Sequence, residues 1–296
     1  MSLRVLKDKI AERAFLLITL LSISVVVIIG VGLYWKSTPI LNTTSLFTML
    51  TSTEWKPFKS AFGFLPFIMG TLWVTVIAIA VALPIALFAS IYLTEYASHR
   101  VRQIIVPLTD LLSGIPPVIY GVWGVLVIVP FIQEHLASHF TEFASGYSAL
   151  AGGLVLAVMI FPLIVSILLE VFNNVPQDLR NASLSLGANH WETIKYVVLK
   201  KSFPGIIAAA VLAISRAFGE TIAVLMVCGN MPEIPHSLFD ACYPLPALIA
   251  NNYGEMLSIP LYESALMLAA FILFVIIFVF NAISRIILYS LENKSY

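Results

Sequence analysis

Charge is scarce in this chain. Only 11% of its 296 residues are Asp, Glu, Lys or Arg, where soluble domains carry roughly 25%. Sixteen basic and sixteen acidic residues cancel to a net charge of zero, so no basic surface argues for nucleic acid. Cysteine is nearly absent: Cys228 and Cys242 are the only two. With no CxxC pair and no His/Cys cluster, neither a metal site nor a disulfide framework is indicated, and no cofactor is expected. The two are read as unpaired apolar thiols, with a bridge open to them only in an oxidising compartment. The five histidines (His99, His135, His139, His190, His236) stand in loops or at loop edges without ligand spacing. Missing as well are HExxH, a paired Asp motif, a Ser/Lys arrangement at catalytic spacing, and a P-loop that would make the chain its own ATPase.

What fills the sequence is hydrocarbon. Sixty per cent of the residues are hydrophobic, and runs of about 20 apolar residues, enough to cross a bilayer, recur along the chain. The sequence predicts an all-α polytopic membrane protein with six transmembrane helices, near Ala14–Tyr34, Phe64–Leu93, Ile104–Phe131, Tyr147–Val171, Phe203–Cys228 and Glu263–Tyr289. The basic N-terminus leads into an apolar run too long for a signal-peptide core and without a clear small-residue cleavage site, so it reads as a retained anchor. The second and third runs exceed the membrane's need. Pro84 predicts a break in the second, and Ser113 to Pro117 a sharper one in the third, either a pathway element or a packing kink.

Lysine and arginine give an orientation. Twelve lie on the side that holds both termini and the second and fourth loops, against Lys36, Lys56 and Lys59 on the other. The positive-inside rule therefore predicts cytoplasmic termini. The expected organisation is a tail at 1–13, an anchor helix at 14–34, an outer loop at 35–63, a five-helix core at 64–289 and a tail at 290–296. Tyr34, Trp35 and Trp55 fit an interfacial aromatic belt. In the proline-rich outer loop Gly229–Tyr262, the apolar patch Leu245–Ala250 is expected to lie as a helix at the outer surface.

Two stretches carry chemistry. Residues 204–228, PGIIAAAVLAISRAFGETIAVLMVC, place Arg216 and Glu220 inside a span, where an ionisable side chain is a functional-site hypothesis by default. At i and i+4 on one helix face they can pair, and a fixed guanidinium suits a tetrahedral oxyanion. The alternative is a purely structural ion pair. Asp110 is the third ionisable residue expected to be buried, while Glu170 and Glu263 fall at span ends. The second stretch is the loop at 172–202. Asp178 or Asn181 can cap a short helix, Gly187 breaks it, and Asn189 can cap an amphipathic helix running from His190 towards Lys200, with Trp191, Ile194, Val198 and Leu199 near one face. Such a lever suits either a soluble partner or an anchor on the headgroups.

That loop resembles the "EAA" motif of ABC-importer permeases, E-A-A-x3-G-x9-I-x-L-P, at Asn181-Ala182-Ser183, Gly187 and Val197-Val198-Leu199-Lys200. The spacing is kept; Asn181, Ser183, Val197 and Lys200 depart from the pattern. Residues 64–97, 111–130 and 215–230 are similar to phosphate-specific ABC transporter permeases. The R-A-x-G-E-T-x-A-V order at Arg216–Val224 is that of their C-type rather than their A-type member. The resemblance implies a type I ABC importer (MetI-like) permease of the bacterial inner membrane, without catalysis of its own. It implies Arg216 and Glu220, with Asp110, along a phosphate pathway, and Asn181, Ala182, Ser183, Gly187, Val197 and Leu199 as the ATPase-coupling loop. The partners implied are a homologous A-type permease, a dimer of ATP-binding ABC subunits and a periplasmic phosphate-binding protein. The alternatives are a permease for sulfate, molybdate or tungstate, and an intramembrane enzyme built on Asp110, Glu170, Arg216 and Glu220.

Overall fold

A computed structural model of the chain describes residues 3–139, 145–254 and 259–294. The architecture is helical, with one two-residue hairpin. Helix α1 spans Leu3–Leu41 and α2 Leu46–Thr51; β1 (Trp55–Lys56) pairs antiparallel with β2 (Ala61–Phe62). Then follow α3 (Leu65–Tyr96), α4 (His99–Ser113), α5 (Pro117–Leu136), α6 (Ala149–Asn173), α7 (Gln177–Ser185), α8 (His190–Phe218), α9 (Ile222–Val227), α10 (Leu245–Asn252) and α11 (Tyr262–Lys294). Among the described residues six helices are long and apolar enough to cross a membrane. Hydrocarbon offers no partner to a backbone N–H or C=O, so a chain this apolar must satisfy its amides within helices.

Several boundaries differ from those expected. The anchor helix begins before residue 14 and runs on to Leu41, and α11 continues into the 290–296 segment as far as Lys294. Pro84 lies inside an uninterrupted helix; its lost hydrogen bond is too small a perturbation to break a run whose neighbours have no solvent to turn to. The third run is two helices. It is interrupted at Gly114–Pro116, and its membrane-length part is Pro117–Leu136. The fifth run also splits, ending at Phe218 and resuming at Ile222. On its other side, α8 starts at the cap Asn189 and continues through Lys200 and Pro204 without a stop, so coupling segment and span are one rod.

The core is built on α3 against α6, with α8 and α9 closing over them. Small residues set the approach. A Cβ at Gly153 would stand 2.4 Å from Ile77, one at Gly205 2.5 Å from Val171, and one at Gly121 2.6 Å from Met226 Sδ. Dispersion at such close approach, rather than hydrophobic exclusion, holds helices together in lipid. A second cluster at the opposite end joins Phe64, Phe67, Tyr243, Leu245, Tyr262 and Leu266. Trp55 belongs here: it packs edge-on against Phe67 at 4.9 Å and against Phe62 at 5.5 Å, while Tyr34 and Trp35 stay exposed as belt residues would. The patch at 245–250 is a helix as expected, but not a surface one. Leu245, Ala247 and Leu248 are buried, and the Leu245 N–H donates to Thr71 Oγ1 at 2.8 Å. Five prolines in its loop fold it back into the protein.

Gly153→Val, which forces a branched side chain into Ile77, is expected to cost about 1–3 kcal/mol and to lower the unfolding midpoint of the detergent-solubilised protein. Gly32→Val, where an added Cβ meets nothing within 4 Å, is expected to leave that midpoint in place.

Candidate functional site

The helical pieces that follow the two interruptions pack on each other. Helix α5 opens on Pro116 and Pro117, which cannot continue α4, and its first turns pack against α9, the piece that follows the second interruption. Gly121 makes the approach: its ideal Cβ would lie 3.2 Å from Ala223 Cα. Tyr120, buried beside it, donates its hydroxyl to Leu112 O at 2.7 Å, so its phenol spans the break in its own chain. Arg216, in the last turn before the other break, is near enough to act electrostatically on that phenol. Tyr120 was not singled out from sequence, because one tyrosine in an apolar run carries no periodic signal.

Arg216 and Glu220 do not pair. Among the described residues no ion pair within 4.0 Å joins them. The helix ends at Phe218, so the i, i+4 geometry assumed for one continuous helix is lost within two residues of Arg216. Glu220 turns the other way, and its Oε1 accepts the N–H of Ala223 at 3.2 Å, satisfying one of the orphan donors at the start of α9. Arg216 is exposed on the isolated chain and Glu220 half-buried. Asp110, expected to be buried, is exposed; it accepts a hydrogen bond from Ser166 Oγ on α6 at 3.4 Å rather than capping the break at Ser113. An unpaired guanidinium facing lipid costs about 3 kcal/mol or more, so this face needs a polar cavity or another subunit against it.

A second polar site lies at the basic end of the bundle. Arg180, on α7, is buried. It donates to Glu95 Oε1 at 2.9 Å, to Phe172 O at 2.9 Å, and to Val175 O. Glu95 lies in the π-helical last turn of α3, Phe172 belongs to the end of α6, and Val175 follows just after it. His190, the first residue of α8, contacts Glu95 O at 3.2 Å and stacks edge-on to Tyr96. The α7 helix and the start of α8 are thus clamped to the ends of both core helices. A cavity of about 600 Å³ opens among these groups, lined by Glu95, Arg102, Asn173, Arg180, His190 and Thr193. Arg180 was only counted as a loop cation from sequence, since its partner lies 85 residues away.

Within that segment the local expectations hold in part. Asn189 and Glu192 form a reciprocal capping box, with both bonds at 2.8 Å. Gly187 has φ +90, which favours glycine. The first helix starts on Pro176 rather than on a cap at Asp178 or Asn181. Asn181 and Ala182 are exposed, Ser183 bonds Thr193 at 3.0 Å, and Val197 and Leu199 are half-buried. Ile194 and Val198 are fully covered, while Trp191 is 50% exposed and belongs to the outward face. Cys228 and Cys242 are both free and buried.

Residues 82–294 match the family model described as the binding-protein-dependent transport system inner membrane component. Relatives include a probable ABC transporter permease protein YqgH of Bacillus subtilis, 36% identical over 90% of this chain and 85% of its own. The phosphate transport system permease protein PstC of Xylella fastidiosa is 34% identical over 96% of this chain and 89% of its own. A probable PstC of Methanocaldococcus jannaschii is 33% identical over 96% and 95%. Among solved structures, a bacterial alginate ABC transporter superposes with a TM-score of 0.63 at 13% identity, covering 93% of this chain and 94% of that one. The MetNI methionine ABC transporter gives 0.54 at 18%, covering 77% and 94%. The fold is that of ABC importer permeases, and with the family model covering most of the chain this protein belongs to the binding-protein-dependent transport system inner membrane components.

Proposed function

We propose that this chain is the membrane-spanning subunit of an ATP-driven importer of inorganic phosphate. The observation that carries the reading is the packing of α5 on α9, each the continuation of an interrupted helix, with the exposed Arg216 just before the second interruption. Irregular backbone at membrane depth persists only where protein or a polar cavity surrounds it, and a fixed cation there attracts an anion. The phosphate permeases named among the relatives, PstC of Xylella fastidiosa and Mesorhizobium japonicum, supply the substrate class. A homologous permease subunit covers the Arg216 face and completes the pathway. Both termini and the basic end lie in the cytoplasm, where twelve of the lysines and arginines gather. A separate ATPase, present as a dimer, docks on α7 and the start of α8, and a phosphate-binding protein delivers substrate to the opposite end.

Arg216 acts by attracting and orienting the anion, while Tyr120, whose hydroxyl is held by Leu112 O, braces the backbone break beside it. Glu220 holds the start of α9 and supplies negative charge close to the pathway, which keeps phosphate from resting there. Phosphate against other tetrahedral oxyanions is decided by competition: uptake of labelled phosphate by membranes holding the whole complex should be blocked by unlabelled phosphate and not by sulfate.

Substitutions at Arg216, Arg180 and Gly187 test the parts. Arg216→Gln is expected to abolish phosphate uptake with the complex present at wild-type level, and Arg216→Lys to retain a fraction, because an ammonium lacks the planar fork; wild-type uptake by the glutamine variant would end the pathway role. At the basic end, Arg180→Met strands the Glu95 carboxylate, at about 3–5 kcal/mol, and should reduce assembled complex. Adding Glu95→Gln should restore assembly but leave ATP hydrolysis poorly coupled to uptake. Gly187→Val must hold a β-branched residue at φ +90. It is expected to raise the ratio of ATP hydrolysed to phosphate moved, measured in proteoliposomes.

A further inference from the structure

Cys228 and Cys242, read from sequence as unpaired thiols, are brought together by the fold. Cys228 ends α9; Cys242 stands two residues before Pro244, on which α10 begins. Between them runs a loop of turns with Pro232 and Pro235. Its two ends are laced by backbone hydrogen bonds: Cys242 N–H donates to Cys228 O at 2.9 Å, and Asn230 N–H donates to Cys242 O at 3.1 Å. The Gly229–Cys242 bridge is parallel, and the two thiols are within hydrogen-bonding reach of each other. Both side chains have no exposed surface. A Cβ added at Gly152 would stand 2.3 Å from Cys228 Sγ, so the sulfur is seated closely against α6.

We propose that Cys228 and Cys242 form an intramolecular disulfide that closes this loop and ties α9 to α10. The proposal rests on the orientation given above, which puts this end of the bundle on the outer, oxidising side of the membrane. Because the folded site is sealed, the bond forms as the loop emerges and before it packs. The oxidant is a disulfide-bearing thiol oxidase of the outer compartment. The thiolate of one cysteine attacks a sulfur of the oxidase disulfide, forming a mixed disulfide and releasing one oxidase thiolate. The second cysteine thiolate attacks the chain's own sulfur in that mixed disulfide and expels the other oxidase thiolate. Two protons and two electrons pass from the two cysteines, and the oxidase departs as the dithiol. The bond fixes the outer end of α9, whose other end follows the Arg216 interruption, so the pathway wall keeps one anchored end.

The chain has only two cysteines, which makes the test simple. Cells expressing the full complex are quenched in acid, and the denatured chain is treated with a polyethylene-glycol maleimide before or after reduction. The expected result is no added polymer before reduction and two after it, with Cys228→Ala and Cys242→Ala each taking up one polymer without reductant. Two polymers on the wild-type chain before reduction overturn the proposal, as does a non-reduced band at twice the mass, which would mean pairing between copies. The orientation is checked apart from it. In the background lacking both cysteines, Glu233→Cys at the exposed part of the same loop should react with an impermeant maleimide in intact cells. Reaction only after lysis overturns the proposal by removing the oxidising side. Wild-type phosphate uptake, measured alongside, keeps the transport reading separate from both results.

Discussion

Inside hydrocarbon a peptide group has nowhere to put its hydrogen bond except another peptide group, and the rest of this molecule follows from where the chain obeys that demand and where it does not. Over α1, α3, α6 and α11 it obeys completely, and even Pro84 and Pro162 are carried inside continuous helices. At Gly114–Pro116 and Gly219–Thr221 it does not. Each interruption leaves carbonyls and amides in need of partners. Some are found locally: Tyr120 donates to Leu112 O, and Glu220 accepts from Ala223 N. The pieces that follow the two interruptions, α5 and α9, then pack on each other.

The basic end solves a different problem. If the segment at this end transmits force, as proposed, it must be stiff and firmly joined to what it moves. Stiffness comes from the fusion of the His190 capping box with the span, so that α8 is one rod from Asn189 to Phe218. Attachment comes from Arg180, whose guanidinium places three of its bonds on groups at the ends of α3 and α6. Such a pair is costly to bury and contributes little net stability. Its worth is geometric, because a fork that satisfies a carboxylate and two carbonyls at once fixes the angle of α7 against the core.

The number of spans and the basic end were legible in the sequence because both rest on sums over many residues, apolar length and lysine–arginine count. Asn189 and Gly187 were legible because capping and positive φ are local demands with their own residue preferences. What could not be read was where a run stops being one helix. The stretch 204–228 contains no proline after Pro204, and Gly219 alone is weak punctuation, so the break appears only when α5 is there to receive α9. The pairing of Arg216 with Glu220 failed for that reason. Arg180–Glu95 and the Thr71 bond to α10 join positions far apart in sequence, which no window of residues can see.

The absence of an Arg216–Glu220 ion pair changes what each residue contributes. Had the two been paired, an arriving anion would have had to displace a carboxylate from the guanidinium, and the desolvation cost of the pair would be repaid only while the pathway was empty. With Glu220 committed to the start of α9, the guanidinium has no carboxylate to release, and the proposed pathway needs no exchange of partners. The carboxylate still lies one turn of chain away. Its repulsion falls on any anion bound close to α9 but less on one held against Arg216 and Tyr120. On the proposed pathway, the interruption would therefore separate two roles that a continuous helix would have forced together: a cation that attracts, and a carboxylate that holds a helix end.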